Sequence, residues 1–200
     1  MTGAMSNAVI YLIRHGETEW NRARRYQGGS DSPLTERGLA QAEAIGRFLC
    51  GLPQAQSAGL VASPIGRARR TAEIIRQCLG RGEPLRFDDR LREISLGSWD
   101  GRHRSEIAAL RPGIFDGAGY HEWYFATPDG ETYDGFAGRI AAWLAEAGEG
   151  PLILVTHGVV TRVLRGLYAG LPRAEALRLP VSQDRIFRLA EGMIEEIAVR

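Results

Sequence analysis

The sequence predicts an α/β fold, a mostly parallel central sheet flanked by helices and finished by a C-terminal hairpin. Three observations predict it. Short, nearly all-apolar runs recur at Val9 to Ile13, Leu60 to Ala62 and Leu152 to Val155, as strands buried on both faces of a parallel sheet require. Segments with helical spacing of apolar residues fill the intervals, and strands alternating with helices imply a parallel sheet. Two further strand-like runs, Ile186 to Leu189 and Met193 to Val199, flank the turn-forming Ala190-Glu191-Gly192.

Taken in order, the first strand runs into Arg14-His15-Gly16. After Pro33, Thr35 can cap a helix that places Leu39, Ala42, Ile45 and Leu49 on one face. Leu60 to Ala62 leads to Ser63-Pro64, where proline in a first turn opens a helix with the stripe Ala68, Ala72, Ile75 and Leu79. Arg111 to Thr132 breaks the alternation. It holds Pro112, Gly113, Gly117, Gly119, Pro128 and Gly130, with Tyr120, Trp123, Tyr124 and Phe125 between them. Such a segment is a lid or binding loop, or a surface excursion whose aromatics pack onto the body; both readings stay open. A helix follows over Tyr133 to Ala147. Gly150-Pro151 launches the Leu152 strand, and a last helix spans Gly158 to Leu167. With no internal repeat or low-complexity linker, residues 1–200 are expected to form one domain, with a variable segment at about 102–132.

The chain has 200 residues, 44% hydrophobic and 24% charged, an ordinary composition for a soluble globular protein. A net charge of +1 argues against a dedicated nucleic-acid binder. All 25 basic residues are arginine. A base-composition bias accounts for that, but the consequence holds: an anion site must use Arg, His or backbone N–H groups, and Schiff-base or P-loop lysine chemistry is excluded. Cys50 and Cys78 form no metal-ligand spacing and are expected to be buried free thiols in a reducing compartment. The first residues do not read as a signal peptide, and no apolar run is long enough to span a membrane. The expectation is a cytoplasmic protein with no membrane or nucleic-acid partner. A homodimer is compatible with the sequence, which does not specify one.

Reactive residues gather at three strand ends: Arg14-His15-Gly16, Ser63-Pro64-Ile65-Gly66-Arg67 and Thr156-His157-Gly158. Ligand sites in open α/β sheets form outside the carboxyl ends of the strands. Two His and two Arg converging there suit a phosphate, because the Arg fork matches its oxygens and helix N-termini add N–H donors. A lone His is more often structural, and an Arg is usually a surface cation. The recurrence carries the inference, together with the glycine after each His, which lets backbone approach a ligand.

With those residues in place, the chain resembles the histidine phosphatase superfamily, which includes cofactor-dependent phosphoglycerate mutases and many small phosphatases. RHGETEWNRARRYQGGSDSPLTERG (Arg14 to Gly38) is similar to the family's opening signature. SPIGRARRTAE (Ser63 to Glu73), LREISLGSWDG (Leu91 to Gly101) and THG (Thr156 to Gly158) are similar to its later blocks. Ordered blocks along nearly the whole chain are far more specific than one RHG. The resemblance implies a phosphoglycerate mutase-like fold and phosphoryl transfer through a phosphohistidine on His15. It implies that Arg14, Arg67 and His157 hold the phosphoryl group and that Glu93 is the general acid and base. It also implies that Thr18, Asn21, Gln27 and Gly28 line the phosphate end of the pocket. His15 must be neutral to attack, and Arg14 and Arg67 disfavour its charged form. From the residue alone, Glu93 reads first as a surface carboxylate paired with Arg90 or Arg92; the surrounding block turns the reading to catalysis. Trp20 and Trp99 are expected to pack rather than bind, and His103 and His121 match no role. Arg102-His103-Arg104 is read as a solvated helix start, with a rim for a second anionic group as the alternative. No cofactor and no metal are expected, since the Arg and His cluster supplies the charge neutralisation that Mg²⁺ usually supplies.

One active site of this kind supports two outcomes on a small phosphorylated metabolite: water attacks phosphohistidine, or the phosphoryl group returns to a bound acceptor. The resemblance implies that mutases carry an inserted segment with lysine and paired arginines. Here that segment is short, lysine is absent, Arg104 aligns only roughly with the family's lysine, and Arg111 stands alone. The departure favours a phosphomonoester hydrolase, close in pattern to the α-ribazole phosphatase-like group, over an isomerase. A catalytically silent phospho-ligand-binding regulator ranks last, because His15, Arg14, Arg67, Glu93 and His157 are all present.

Overall fold

The computed structural model describes residues 9–116 and 122–199. Gly117, Gly119, Tyr120 and His121, singled out above, lie outside the described residues. In chain order the elements are β1 (Ile10–Arg14), α1 (Glu19–Arg22), α2 (Glu36–Cys50), α3 (Pro53–Gln56), β2 (Gly59–Ala62), α4 (Gly66–Cys78) and β3 (Arg86–Phe87). There follow α5 (Arg104–Leu110), α6 (Tyr133–Ala145), β4 (Leu152–Thr156), α7 (Gly158–Tyr168), α8 (Arg173–Arg178), β5 (Arg185–Ala190) and β6 (Met193–Ala198).

The strands form one sheet in the order β3-β2-β4-β1-β5-β6. The pairs β1·β4, β2·β4 and β2·β3 are parallel, while β1·β5 and the β5·β6 hairpin are antiparallel. The hairpin turns at Glu191-Gly192, both with positive φ (52° and 76°), the conformation that two-residue hairpin turns use. Side-chain alternation splits β1 between two cores. Ile10 and Leu12 join Phe136, Ile140, Val160 and Leu164 of α6 and α7 on one face. Tyr11 and Ile13 join Ile45, Leu49, Ala72 and Ile75 of α2 and α4 on the other.

The caps expected at Thr35 and the apolar stripes of α2 and α4 are present; Leu39 alone of those stripes is only half-buried. The short helices α1, α3, α5 and α8 and the two-residue β3 carry too few turns for apolar spacing to mark them. Cys50 and Cys78 are free but half-buried rather than buried. They also meet in space, with Cys50 Sγ 2.8 Å from the Cys78 carbonyl. The reason is that α2 and α4 pack side by side, and their C-terminal ends, where both cysteines sit, lie at the edge of the core.

Topology also locates the site. β1 and β4 are neighbours in register, with Arg14 opposite Thr156. From β1 the chain leaves by α2 towards β2; from β4 it leaves by α7, on the opposite face, towards β5. Such a reversal between adjacent parallel strands opens a crevice at their carboxyl ends. The loop after His15 is seated against the first turn of α2. A Cβ on Gly38 would lie 2.0 Å from the Glu17 carbonyl oxygen, and one on Gly16 would lie 2.3 Å from the Gly38 carbonyl oxygen. Gly38→Ala is therefore expected to lose about 1–3 kcal/mol of stability by overpacking. Urea unfolding checks this, and an unchanged midpoint would refute the contact.

Candidate active site

His15 follows β1 and His157 follows β4, and the His15 backbone N–H still donates to the Thr156 carbonyl (2.9 Å), so the two rings are held side by side. Their centroids lie 5.2 Å apart. His15 Nδ1 is 2.8 Å from the Gly16 carbonyl oxygen, which can only accept. Arg67 Nε–H donates to His15 Nε2 at 3.2 Å. Both bonds select one tautomer, with the proton on Nδ1 and the lone pair on Nε2. Burial, then the charges of Arg67 and Arg14, hold the His15 pKa well below the usual histidine range. Burial does the same to His157, helped by Arg67 and His15. His157 Nε2 is paired with Ser63 Oγ at 2.7 Å.

Arg67 stands on the first turn of α4 and is only 1% exposed. It donates to the carbonyls of Ser30 (2.6 Å) and Gly28 (2.8 Å) and approaches Asp31 Oδ1 (3.4 Å). Asp31 also accepts from the Arg67 backbone N–H. Glu93 is 7% exposed and caps α7, accepting from the backbone N–H groups of Val159 (3.0 Å) and Val160 (3.3 Å). It is not a surface partner of its neighbours: Arg90 pairs with Asp88 and Glu146, and Arg92 pairs with Asp89. Burial is the first cause lowering the Arg14 pKa, and the charge of Glu93 opposes it.

A cavity of about 580 Å³ opens in front of His15, with Arg14, Asn21, Gln27 and Glu93 in its wall. Arg67 and His157 touch His15 but are not among the residues lining the cavity. Two of the residues expected on the wall stand behind it. Thr18 is fully buried as the N-cap of α1, accepting from Asn21 N–H (3.1 Å) and donating to Gln27 Oε1 (2.9 Å). It thus positions two wall residues, and its hydroxyl is used up in doing so. Gly28 turns its carbonyl to Arg67 and its N–H to Asp100 Oδ1 (2.6 Å), and a Cβ there would meet the Ile94 carbonyl at 2.5 Å. Arg14 Nε, Gln27 Nε2 and His157 Nδ1 are buried without a hydrogen-bond partner among the described residues.

The sequence reading gave no role to Ser63, Asp31 and Asp100, which brace His157, Arg67 and the Gly28-Ser30 loop, or to Arg24, Arg25, Arg162 and Gln183, which reach the cavity wall. None follows from local spacing, because they come to the site from several separate segments of the chain. The variable segment divides: Trp123 is 2% exposed and packs between Tyr26, Trp99 and Phe115, whereas Tyr124 lines the cavity. Arg104 lines it too, but Arg111 donates to the Ala126 carbonyl instead. His103 starts α5, as expected, with its N–H on Glu106. Trp99 packs in the core and Trp20 rests against Gly101.

Fold and site together define an α/β protein with two buried histidines and a buried arginine at the switch point of a mixed sheet. The chain belongs to the histidine phosphatase superfamily, branch 1, whose family model matches residues 10–191. It is 37% identical to a Citrobacter koseri protein named "Probable phosphoglycerate mutase GpmB", across 94% of this chain and 91% of the relative. Among solved structures, Bacillus stearothermophilus YhfR superposes with a TM-score of 0.79 at 34% identity, covering 96% of each chain. The α-ribazole phosphatase of Shigella flexneri superposes with a TM-score of 0.77 at 26% identity, covering 96% of this chain and 95% of that one.

Both buried imidazoles stay neutral in the folded chain, while in the unfolded chain they take up protons below pH ~6.5. Protons therefore favour unfolding: this stability is present above that pH and is lost as pH falls through it. The melting temperature is expected to drop between about pH 7.5 and about pH 5, and to drop less in His15→Asn. Thermal unfolding of both proteins at the two pH values checks it; equal drops would show that His15 is not held neutral.

Proposed function

We propose that this protein is a phosphomonoester hydrolase that acts on a small phosphorylated metabolite through a phosphohistidine on His15. The observation that carries the proposal is the His15 tautomer: a lone pair on a buried, neutral Nε2 at the base of a cavity with arginine in its wall. Nε2 attacks phosphorus, and the bond from phosphorus to the ester oxygen breaks. Glu93 supplies the proton that the leaving oxygen needs. Water then attacks the phosphohistidine, Glu93 takes its proton, and inorganic phosphate leaves with His15 restored. Arg67 Nε–H occupies Nε2 beforehand, so attack requires that this bond pass to a phosphoryl oxygen. The carbonyls of Gly28 and Ser30 keep the guanidinium in place while it does. Arg14 Nε and Gln27 Nε2 supply N–H groups with no other partner, which suits a group bearing several anionic oxygens.

Two observations support a metal-free site: the arginines at His15, and the absence, among the described residues, of any group of three or more His, Cys, Asp or Glu placed to hold an ion. Water is favoured as acceptor because the segment that carries lysine and paired arginines in mutases is short here. The solved α-ribazole phosphatase agrees with that choice. The relative named for a phosphoglycerate mutase favours the second reading, return of the phosphoryl group to a bound acceptor. Among the described residues no helix is long and apolar enough to cross a membrane. A cytoplasmic setting is part of the proposal, supported by the two free thiols.

His15→Ala is expected to abolish phosphate release from an aryl phosphate. Glu93→Gln should lower kcat by about 10²–10⁴-fold, the usual worth of a positioned acid and base. Unchanged turnover in either variant refutes its role. With 3-phosphoglycerate and a trace of the bisphosphate, free phosphate should exceed 2-phosphoglycerate, and EDTA should leave the rate unchanged. Isomerisation without phosphate release would establish the mutase reading instead.

A further inference from the structure

Resting on that hydrolase reading, we propose that Ser63 is a positioning residue for His157. Its hydroxyl donates to His157 Nε2 and so keeps the proton of that ring on Nδ1, as a neutral donor to the phosphoryl oxygens carried by His15. Sheet register puts the serine there. β2 and β4 are parallel with Ala62 opposite Val155, and the Ser63 N–H continues the ladder to the Val155 carbonyl (3.0 Å). Ser63 therefore leaves the sheet beside His157, in the segment that leads to Arg67, and both Ser63 and His157 are fully buried.

A count of donors and acceptors sets the direction of the bond. Ser63 Oγ lies 2.7 Å from His157 Nε2 and accepts from the Ile65 N–H at 3.3 Å. A hydroxyl has one hydrogen to give, and among the described residues His157 Nε2 is the acceptor this one meets. Were the proton on Nε2 instead, Oγ would accept twice. Its own hydrogen would then be buried with no acceptor, a desolvation cost with nothing to offset it. Nδ1, which has no partner among the described residues, would strand a lone pair as well. With the proton on Nδ1, one group is left over, an N–H. The doubly protonated ring is disfavoured by burial first and then by the charge of Arg67.

That leftover N–H is the useful one. The His157 ring centroid is 5.2 Å from that of His15, at an interplanar angle of 60°. Its backbone is fixed at the start of α7, with the carbonyl accepting from the Thr161 N–H (3.0 Å) and hydroxyl (2.7 Å). A phosphoryl group on His15 Nε2 brings the anionic oxygens that the Nδ1 proton lacks, and phosphoryl transfer relies on such preset donors. The other tautomer would offer a lone pair to the same oxygens and repel them. A guanidinium cannot be set wrongly in this way, because it has no acceptor; an imidazole needs a partner to choose its face.

NMR of protein carrying ¹⁵N-labelled histidine reads the tautomer directly, with the His157 signals identified by their loss in His157→Gln. The wild-type ring is expected to carry its proton on Nδ1. In Ser63→Ala the proton should move to Nε2 or divide between the two nitrogens. In the same variant kcat/KM for an aryl phosphate should fall by about 10–100-fold, less than the ~10²–10³ lost when a donor to a developing anion is removed outright. Ser63→Thr retains the hydroxyl and should retain the Nδ1 proton and most of the rate. A proton on Nε2 in the wild-type ring overturns the proposal, and it does so even where Ser63→Ala fails to fold. A Ser63→Ala protein in which His157 keeps its Nδ1 proton, or in which kcat/KM is unchanged, overturns it too. Phosphate release that survives His15→Ala overturns the hydrolase reading instead, and leaves the measured tautomer as it is.

Discussion

The hydrogen bond from the Arg67 guanidinium to His15 Nε2 ties the rest of the structure together. A guanidinium that is 1% exposed costs several kcal/mol to strip of water unless its donors are satisfied. The Gly28 and Ser30 carbonyls and the Asp31 carboxylate satisfy them. Those acceptors are in position because Asp100 grips the same loop through the Gly28 and Ser30 N–H groups. One side chain thus couples β1, the 28–31 loop, the turn after Trp99 and the start of α4. After the burial of His15 itself, the Arg67 charge also holds the His15 pKa well below the usual histidine range.

The sheet supplies the other half of the arrangement. Parallel pairing of β1 with β4 puts Arg14 opposite Thr156 and so carries His15 and His157 past the strand ends together. Thr156 Oγ1 donates to the Leu91 carbonyl at 2.8 Å, which draws the Glu93 loop to the same point. Glu93 then caps α7 from that loop. A neutral nucleophile, a carboxylate and anion-binding donors thereby share one place without shared sequence neighbourhood. Burial that removes the imidazole charge is the same burial that strengthens attraction between arginine and phosphate.

Much of the fold was legible in the sequence because its long elements obey simple periodicities. Val9 to Ile13 and Leu152 to Val155 read as two-faced strands, and the stripes of α2 and α4 point to the core as spaced. Helices of seven residues or fewer and the two-residue β3 left no such trace, and the half-buried contact of Cys50 with Cys78 arises only where two helix ends meet. In the site, His15, Arg14, Arg67, Glu93 and His157 were visible as types in ordered blocks, and they do converge. Thr18 and Gly28 were visible too, but their places were not: a buried hydroxyl bonded to Gln27 and a carbonyl turned to Arg67 stand behind the wall. Sequence cannot separate lining from bracing, since both leave the same polar residue in the same motif.

By itself, then, the sequence determined the layering of strands and helices and the inventory of reactive groups. Apolar period and residue chemistry are local properties, and four ordered blocks leave little freedom of family. The tertiary structure alone decided which nitrogen of His15 carries the lone pair, which acceptors hold Arg67, and that Arg24 and Arg162 line one cavity. Each of these depends on distances between groups from different elements, and packing sets those distances.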